Sequence, residues 1–234
     1  MKDITIATYN IRNGADVGHD WSRLAAVIQE SEADIIGLQE VDMYTARSGG
    51  ADTVSELVRA TGLPHALFIP AMEFDGGQYG NLILSRYPFG TTEEHHLPSD
   101  DGSEPRVFGC VTVLPKDSTQ LFFLNTHLAC DSPEERTIQI QALADFLATR
   151  IPPDMPVILT GDFNTEDFIA FDPLYAVGCV PINHAERAYK TFRTSPMAID
   201  NILYREGPLT PAAVDMIDSD SSDHNLLWCR FTLQ

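Results

Sequence analysis

At 234 residues the chain is long for one domain and short for two; with no linker-like stretch, low-complexity run or internal repeat, it reads as one domain, residues 1–234, with a sizeable core. Its 15 basic residues against 34 acidic ones give a formal net charge of −19, a long-range field that works against sequence-independent nucleic-acid binding, which draws most of its energy from Lys and Arg neutralising phosphates. No apolar run is long enough to span a membrane and the first residues lack the pattern of a signal peptide, so a cytoplasmic protein is expected, its four scattered cysteines free thiols with no CxxC among them.

In chain order, residues 4–10 read as a strand. Trp21, Leu24, Ala25 and Ile28 have helical spacing after Asp20, a plausible N-cap. Residues 34–39 are a strand, and Val54, Leu57, Val58 and Thr61 mark a second helix that Gly62 ends. Strands follow at 65–69, 80–85, 91–97, 106–114 and 119–127. A long helix over 133–149 carries Ile138, Leu143, Phe146 and Leu147. Strands at 156–161, 199–204 and 226–233 close the chain. The middle favours antiparallel hairpins and the ends helical crossovers, so the expected fold class is α/β, with two packed mixed sheets and helices outside.

Several of these strands deliver one polar or ionisable group each. Val157-Ile158-Leu159-Thr160 runs into Gly161-Asp162-Phe163-Asn164, and Asp and Asn are poor strand residues. In an extended segment Asp162 and Asn164 face one side; the Asp can deprotonate a water and the Asn can donate to a phosphoryl oxygen. The bland alternative is an Asx turn. Ile35-Ile36-Gly37-Leu38-Gln39 runs into Glu40, either a solvated strand end or a ligand of a hard divalent ion such as Mg²⁺, which takes oxygen donors. Zinc is disfavoured, because the Cys and His residues have no ligand spacing. His127 follows Asn125-Thr126, where a lone His is more often structural. His224 follows Asp223 in an acidic, serine-rich loop; a polar turn accounts for it, but a carboxylate beside a His can also serve a metal with one group and a phosphoryl charge with the other. Asp200 interrupts an apolar strand and needs a partner. His224 is the natural one, since a carboxylate fixes its tautomer and raises its pKa.

Taken in order, Thr8-Tyr9-Asn10, Leu38-Gln39-Glu40-Val41, Asn125-Thr126-His127, Gly161-Asp162-Phe163-Asn164, Ile199-Asp200 and Ser222-Asp223-His224 resemble the motifs of the endonuclease/exonuclease/phosphatase superfamily. The resemblance implies a four-layered α/β sandwich and Mg²⁺-dependent cleavage of a phosphoester by an activated water, with Mn²⁺ as a substitute ion. It assigns metal binding to Glu40, supported by Asn10 and positioned by Asp223. It makes Asp162 the activator of the nucleophile, Asn164 and His127 phosphate contacts, and His224, paired to Asp200, the stabiliser of the transition state. Asn201 departs from the aromatic or basic residue that many relatives carry after the Asp. The segment from Glu73 to Arg86 resembles a bacterial subgroup similar to the catalytic part of proteins that remodel glycosylphosphatidylinositol lipids. Within it Tyr79 and Asn81 are candidates to reach the substrate, against a plain glycine hairpin turn. Arg47 and Arg106, in expected loops, are candidates to clamp a phosphate, against surface ion pairs.

The leading expectation is a phosphoesterase for a small or lipid-linked phosphodiester or phosphomonoester. A Mg²⁺-dependent nuclease is the runner-up, needing only a local basic rim. A catalytically dead binding module is disfavoured because none of the metal- or nucleophile-handling residues is missing. No stable membrane anchor is expected.

Overall fold

The ten expected strands and two more pair into two sheets of six. The structure, a computed structural model, describes residues 2–115 and 120–233. The first sheet holds β1 (Lys2–Asn10), β2 (Ile35–Met43), β3 (His65–Phe74), β4 (Gly77–Ser85), β11 (Leu209–Ile217) and β12 (Leu226–Leu233), in the order β11-β12-β1-β2-β4-β3. The second holds β5 (Phe89–His96), β6 (Val107–Val113), β7 (Leu121–His127), β8 (Val157–Asp162), β9 (Cys179–Pro181) and β10 (Asp200–Arg205), in the order β5-β6-β7-β8-β10-β9. In each sheet one central pair is parallel, β1 with β2 and β7 with β8, and the other pairs are antiparallel. A parallel pair needs a crossover. Helix α1 (Trp21–Glu30) supplies the first and α3 (Pro133–Arg150) the second.

Three apolar clusters hold four layers together. Ile6, Ile35 and Ile83 meet Val111, Phe123, Ile158 and Ile202 between the sheets. Leu24 and Ile28 of α1 and Leu57 of α2 (Thr53–Thr61) cover the outer face of the first sheet. Ile140, Leu143 and Leu147 of α3, with Leu174 of α4 (Asp172–Ala176), cover the second. Every residue of β7 and β8 is buried, as covering on both faces demands. The expected caps are present: Asp20 accepts from Ser22 N at 3.1 Å, and Gly62 ends α2 with φ 75°. All four cysteines are free, and only Cys130 is exposed.

Directly beneath the cleft the interface between the sheets is polar. Gly37 has no side chain there, and a Cβ would lie 2.3 Å from both Asn125 Oδ1 and Thr160 Oγ1. The Asn125 amide donates to Leu38 O at 2.9 Å and Leu82 O at 3.2 Å, and its Oδ1 accepts from Gln39 Nε2 at 2.7 Å and Thr160 Oγ1 at 3.2 Å. One buried side chain thus bonds β2 and β4 across the interface and β8 beside it, satisfying polar groups that would otherwise be costly to bury.

Five expectations change. Strand β2 does not stop at residue 39 but continues to Met43 through a register shift between Leu38 and Val41. Strand β3 runs on to Phe74, and the turn to β4 is Asp75-Gly76, both at positive φ, the two-residue geometry that matches strand twist. Ile138 is exposed and Ile140 takes the inner face of α3, being three and seven residues from Leu143 and Leu147. Strands β9 and β11 were not expected; β11 is an edge strand, half-exposed, and carries Pro211 at a bulge. The strand expected over 119–127 starts at Leu121, and Thr119 lies outside the described residues.

Candidate active site

Every strand that ends in a chemically active residue ends at the same edge of the sandwich. Asn10 closes β1, His127 closes β7 and Asp162 closes β8, while Asp200 opens β10 directly opposite Asp162. The loop before β12 brings Asp223 and His224 to the same edge and is tied there by Ser222 Oγ, which donates to Asn10 O at 2.8 Å. Glu40 sits at the β2 irregularity with φ 56°. A left-handed conformation is unfavourable for Glu, and at this point it turns the carboxylate out of the pleat toward the cleft.

The amide of Asn10 links two carboxylates. Its Nδ2 donates to Glu40 Oε1 at 2.9 Å and to Asp162 Oδ2 at 3.1 Å, and its Oδ1 accepts from Arg12 N at 3.0 Å. Burial raises the Glu40 carboxyl above the ordinary range, the Asn10 hydrogen bond opposing it. Burial also raises Asp162, with the Asp200 charge adding to it, up to about 7. Two carboxylates directly opposed on neighbouring strands repel. Between them stands His224, whose Nδ1 donates to Asp200 Oδ2 at 2.8 Å and whose Nε2 lies 3.7 Å from Asp162 Oδ2. Burial works against its charge, but Asp200, Asp162 and Asp223 outweigh it and push the imidazole up to about 10. His224 is therefore an imidazolium at neutral pH.

His127 is the opposite case. Burial first, then the charges of Arg106 and His224, hold it well below the ordinary imidazole range. Asn164 Nδ2 donates to Leu128 O at 3.0 Å and lies 3.1 Å from His127 Nε2. The carbonyl fixes the amide orientation, so His127 Nε2 is the acceptor and the proton is on Nδ1. Asn164 is not extended, as its spacing from Asp162 suggested: its φ is 51° and its backbone N–H donates to Asp162 Oδ1 at 2.9 Å. The Asx turn weighed against a functional role is present, and it is what aims both side chains.

These groups line a cleft of about 360 Å³. Its floor is Glu40, His127, Asp162, Asn164, Asp223 and His224. One wall comes from β3 and β4, with Met72, Phe74 and Tyr79; the other is Phe192, Met197 and Ile199. Tyr79 is buried in that wall. Asn81 does not line this cleft; it is buried and donates to Val107 O at 3.2 Å. Arg47 lines the cleft and pairs with Asp42, Nε to Oδ2 at 2.6 Å. Arg106 also lines it but is buried rather than in an open loop, and pairs with Glu104 at 3.0 Å. The second wall escaped the sequence reading. Phe192 and Met197 sit in a short polar stretch, and long-range bonds place it beside the loop before β12: Arg193 N donates to Asp223 O at 2.9 Å, Asn225 N to Thr191 O at 2.7 Å and Arg193 Nη1 to Ser222 O at 3.1 Å. The Phe192 ring lies 5.0 Å from that of His224.

The donor set fits a hard divalent cation. Asp162, Asp200 and His224 offer ligand atoms within 4.8 Å of one another, but there the imidazolium already supplies the positive charge. Glu40 and Asp223 are oxygen donors near that group, and Asn10 is the only side chain donating to Glu40 among the described residues. Oxygen-only donors without a Cys suit an ion of the Mg²⁺ type rather than zinc.

Residues 7–224 match the Endonuclease/Exonuclease/phosphatase family. The uncharacterized protein YbhP of Escherichia coli strain K12 is 35% identical over 89 residues, 38% of this chain and 34% of that protein, so the match spans about a third of that relative. Among solved structures, an endonuclease/exonuclease/phosphatase from Beutenbergia cavernae DSM 12333 superposes with a TM-score of 0.84 at 21% identity, over 100% of this chain and 72% of that one. The mannosyl-6-phosphatase Bt3783 of Bacteroides thetaiotaomicron VPI-5482 gives 0.72 at 18%, over 98% and 100%. D. rerio TDP2, complexed with single strand DNA product, gives 0.75 at 21%, over 99% and 100%. At such identities these structures speak for the fold alone. With the match over residues 7–224 and the motifs gathered at one sheet edge, the chain belongs to the endonuclease/exonuclease/phosphatase family, whose members hydrolyse phosphoester bonds.

Proposed function

We propose that this chain is a Mg²⁺-dependent phosphoesterase for a small or lipid-linked phosphodiester or phosphomonoester, with Mn²⁺ as a substitute ion. The observation that carries the choice of substrate is the rim of the cleft. The arginines near it each have a carboxylate partner: Arg47 has Asp42, Arg106 has Glu104, Arg12 has Asp16 and Asp223, and Arg193 has Asp218. A nuclease of net charge −19 would need a local rim of net positive charge to hold a polyanion, and these pairs leave single donors there rather than net charge. The apolar walls and the cleft of about 360 Å³ suit a small substrate instead. The likeness of the segment from Glu73 to Arg86 to proteins that handle glycosylphosphatidylinositol extends the reading to lipid-linked esters.

Glu40 and Asp223, with Asn10 in support, would hold the metal. When bound, it withdraws charge from a phosphoryl oxygen. Asp162 takes a proton from water, and a carboxyl whose pKa lies near neutrality is matched to that task. His224 offers a fixed positive charge where negative charge develops on phosphorus-bound oxygen, and Asp200 keeps it protonated. Asn164 and His127 complete the phosphate contacts. His127 holds its proton on Nδ1 in the resting site, so donation from Nε2 requires the other tautomer.

The test is a pair of assays with Mg²⁺ at low salt, on wild type and Asp162→Ala: hydrolysis of bis(p-nitrophenyl) phosphate and nicking of supercoiled plasmid. Ester hydrolysis without nicking, lost in the variant, is the expected result. Nicking by wild type alone moves the assignment to a nuclease.

A further inference from the structure

Arg47 is held from two directions. Its Nε and Nη2 donate to the two carboxylate oxygens of Asp42 at 2.6 and 2.7 Å, and its backbone N–H donates to Asp75 Oδ2 at 2.6 Å. Asp42 is completely buried, also accepts from Thr45 Oγ1 at 2.7 Å, and lies two residues beyond Glu40 on β2. The guanidinium carbon stands 4.4 Å above the Phe74 ring and 5.5 Å from that of Tyr79. The side chain is 36% exposed and borders the same cleft as Glu40 and His224.

Neutralising Asp42 takes two of the five N–H donors of a guanidinium. Nη1 makes no hydrogen bond among the described residues. A planar fork whose rotamer freedom is already lost, stacked on an aromatic face with donors to spare, is the arrangement that recognises an oxyanion at low entropic cost. It lines the same cleft as Asp162 and His224 and bonds to neither.

We propose that Arg47 is a second anion subsite, so that the phosphoester hydrolysed carries a further phosphate or carboxylate away from the reacting phosphorus. The proposal rests on the phosphoesterase reading and narrows it. Arg47 lines the same cleft of about 360 Å³ as Glu40, Asp162 and His224, so one small substrate can span both places.

The experiment compares two esters with one leaving group, p-nitrophenyl propyl phosphate and p-nitrophenyl 3-phosphonopropyl phosphate, under Mg²⁺. Wild type should prefer the second in kcat/KM by about tenfold or more, the scale of one charge-assisted hydrogen-bonded pair. In Arg47→Met the ratio should fall to about one, and in Arg47→Gln, which keeps a donor for Asp42 and guards against loss of the fold, it should fall nearly as far. Equal kcat/KM for the two esters in wild type, or a ratio unchanged in both variants, overturns the subsite. If neither ester is hydrolysed, the phosphoesterase reading fails by itself, and calorimetric binding of the same two probes decides the subsite. A binding preference that Arg47→Met abolishes supports it, and no preference overturns it. A phosphatidylinositol 4-phosphate hydrolysed in phosphatidylcholine vesicles with the same Arg47 dependence supports it with a lipid as the source of the second anion. Dependence confined to the water-soluble pair supports it with a soluble ester.

Discussion

At the C-terminal end of β1 and the irregularity of β2 beside it the first sheet places Asn10 and Glu40; at the C-terminal ends of β7 and β8 the second places His127 and Asp162. Each pair is the parallel centre of a six-stranded sheet, each is joined by one helix, and both face one cleft. The chemistry differs. The second sheet brings its own compensation: Asp162 and Asp200 face each other across β8 and β10, and the imidazolium of His224 bonds one of them and approaches the other. On the first sheet Glu40 makes no ion pair among the described residues: an amide donates to it, burial raises its carboxyl, and the charges of His224 and Arg106 act on it from farther off. A carboxylate without an ion pair is a place for a cation, whereas a compensated pair is a place for proton transfer and charge stabilisation. In the function proposed above, one architectural unit, used twice, divides the labour of a metal-assisted hydrolysis.

The contrast breaks hardest on the second sheet. Asp162→Ala should lower kcat by on the order of a thousandfold at saturating Mg²⁺, since it removes the proposed base while leaving Glu40 and Asp223 in place. Steady-state hydrolysis of a p-nitrophenyl ester checks this, and a fall of less than tenfold would return the role of base to another group.

Next comes the charge on His224. Asp200→Asn should cost on the order of a hundredfold in turnover near pH 9 and less at neutral pH, as the alkaline limb of the profile moves down from about 10. The sign follows from linkage. His224 binds its proton more tightly folded than unfolded, so its contribution to stability is complete below the ordinary imidazole range and is lost as pH rises through about 10. Asp162, also raised, contributes in the same sense and loses its part as pH passes about 7. Melting of the metal-free proteins between pH 6 and 10, with NMR titration of the His224 ring, should therefore show the imidazole proton leaving at lower pH in Asp200→Asn. An unmoved titration breaks the pairing argument.

The first sheet answers differently. Glu40→Gln should raise the Mg²⁺ concentration for half-maximal activity by about tenfold to a hundredfold, with part of the turnover recovered at high Mg²⁺. A loss that no concentration of Mg²⁺ repairs would put Glu40 in the chemical step and dissolve the division between the sheets.

The smallest effect tests what keeps the two sheets in register. Asn125→Leu removes the amide that donates to the Leu38 and Leu82 carbonyls and the oxygen that accepts from Gln39 and Thr160, and should cost about 2–4 kcal/mol in urea unfolding. Little change would mean that the apolar cluster between the sheets suffices to hold the cleft together.

The sequence alone determined more of the chemistry than of the shape around it. Glu40, Asp162, Asp200 and His224 were legible because a carboxylate or imidazole at the end of, or inside, an apolar run is costly to place there without a task, and the partnership of Asp200 with His224 followed from that cost. The sheets were legible from period and apolar runs, and α1 and α2 from their caps. The tertiary structure alone decided the rest. The left-handed φ of Glu40 and Asn164 comes from a bulge and an Asx turn held by distant hydrogen bonds. The neutrality of His127 comes from burial beside Arg106 and His224, neither adjacent to it in sequence. The arginines became paired rather than free through carboxylates whose positions no local pattern reveals, and Phe192 and Met197 became a wall of the cleft through backbone bonds between Arg193 and Asp223, which lie 30 residues apart in numbering. Local preferences and burial costs act on a few neighbouring residues and are written in the chain. The shape and electrostatics of the cleft are sums over groups that only the packing of one sheet on the other brings together.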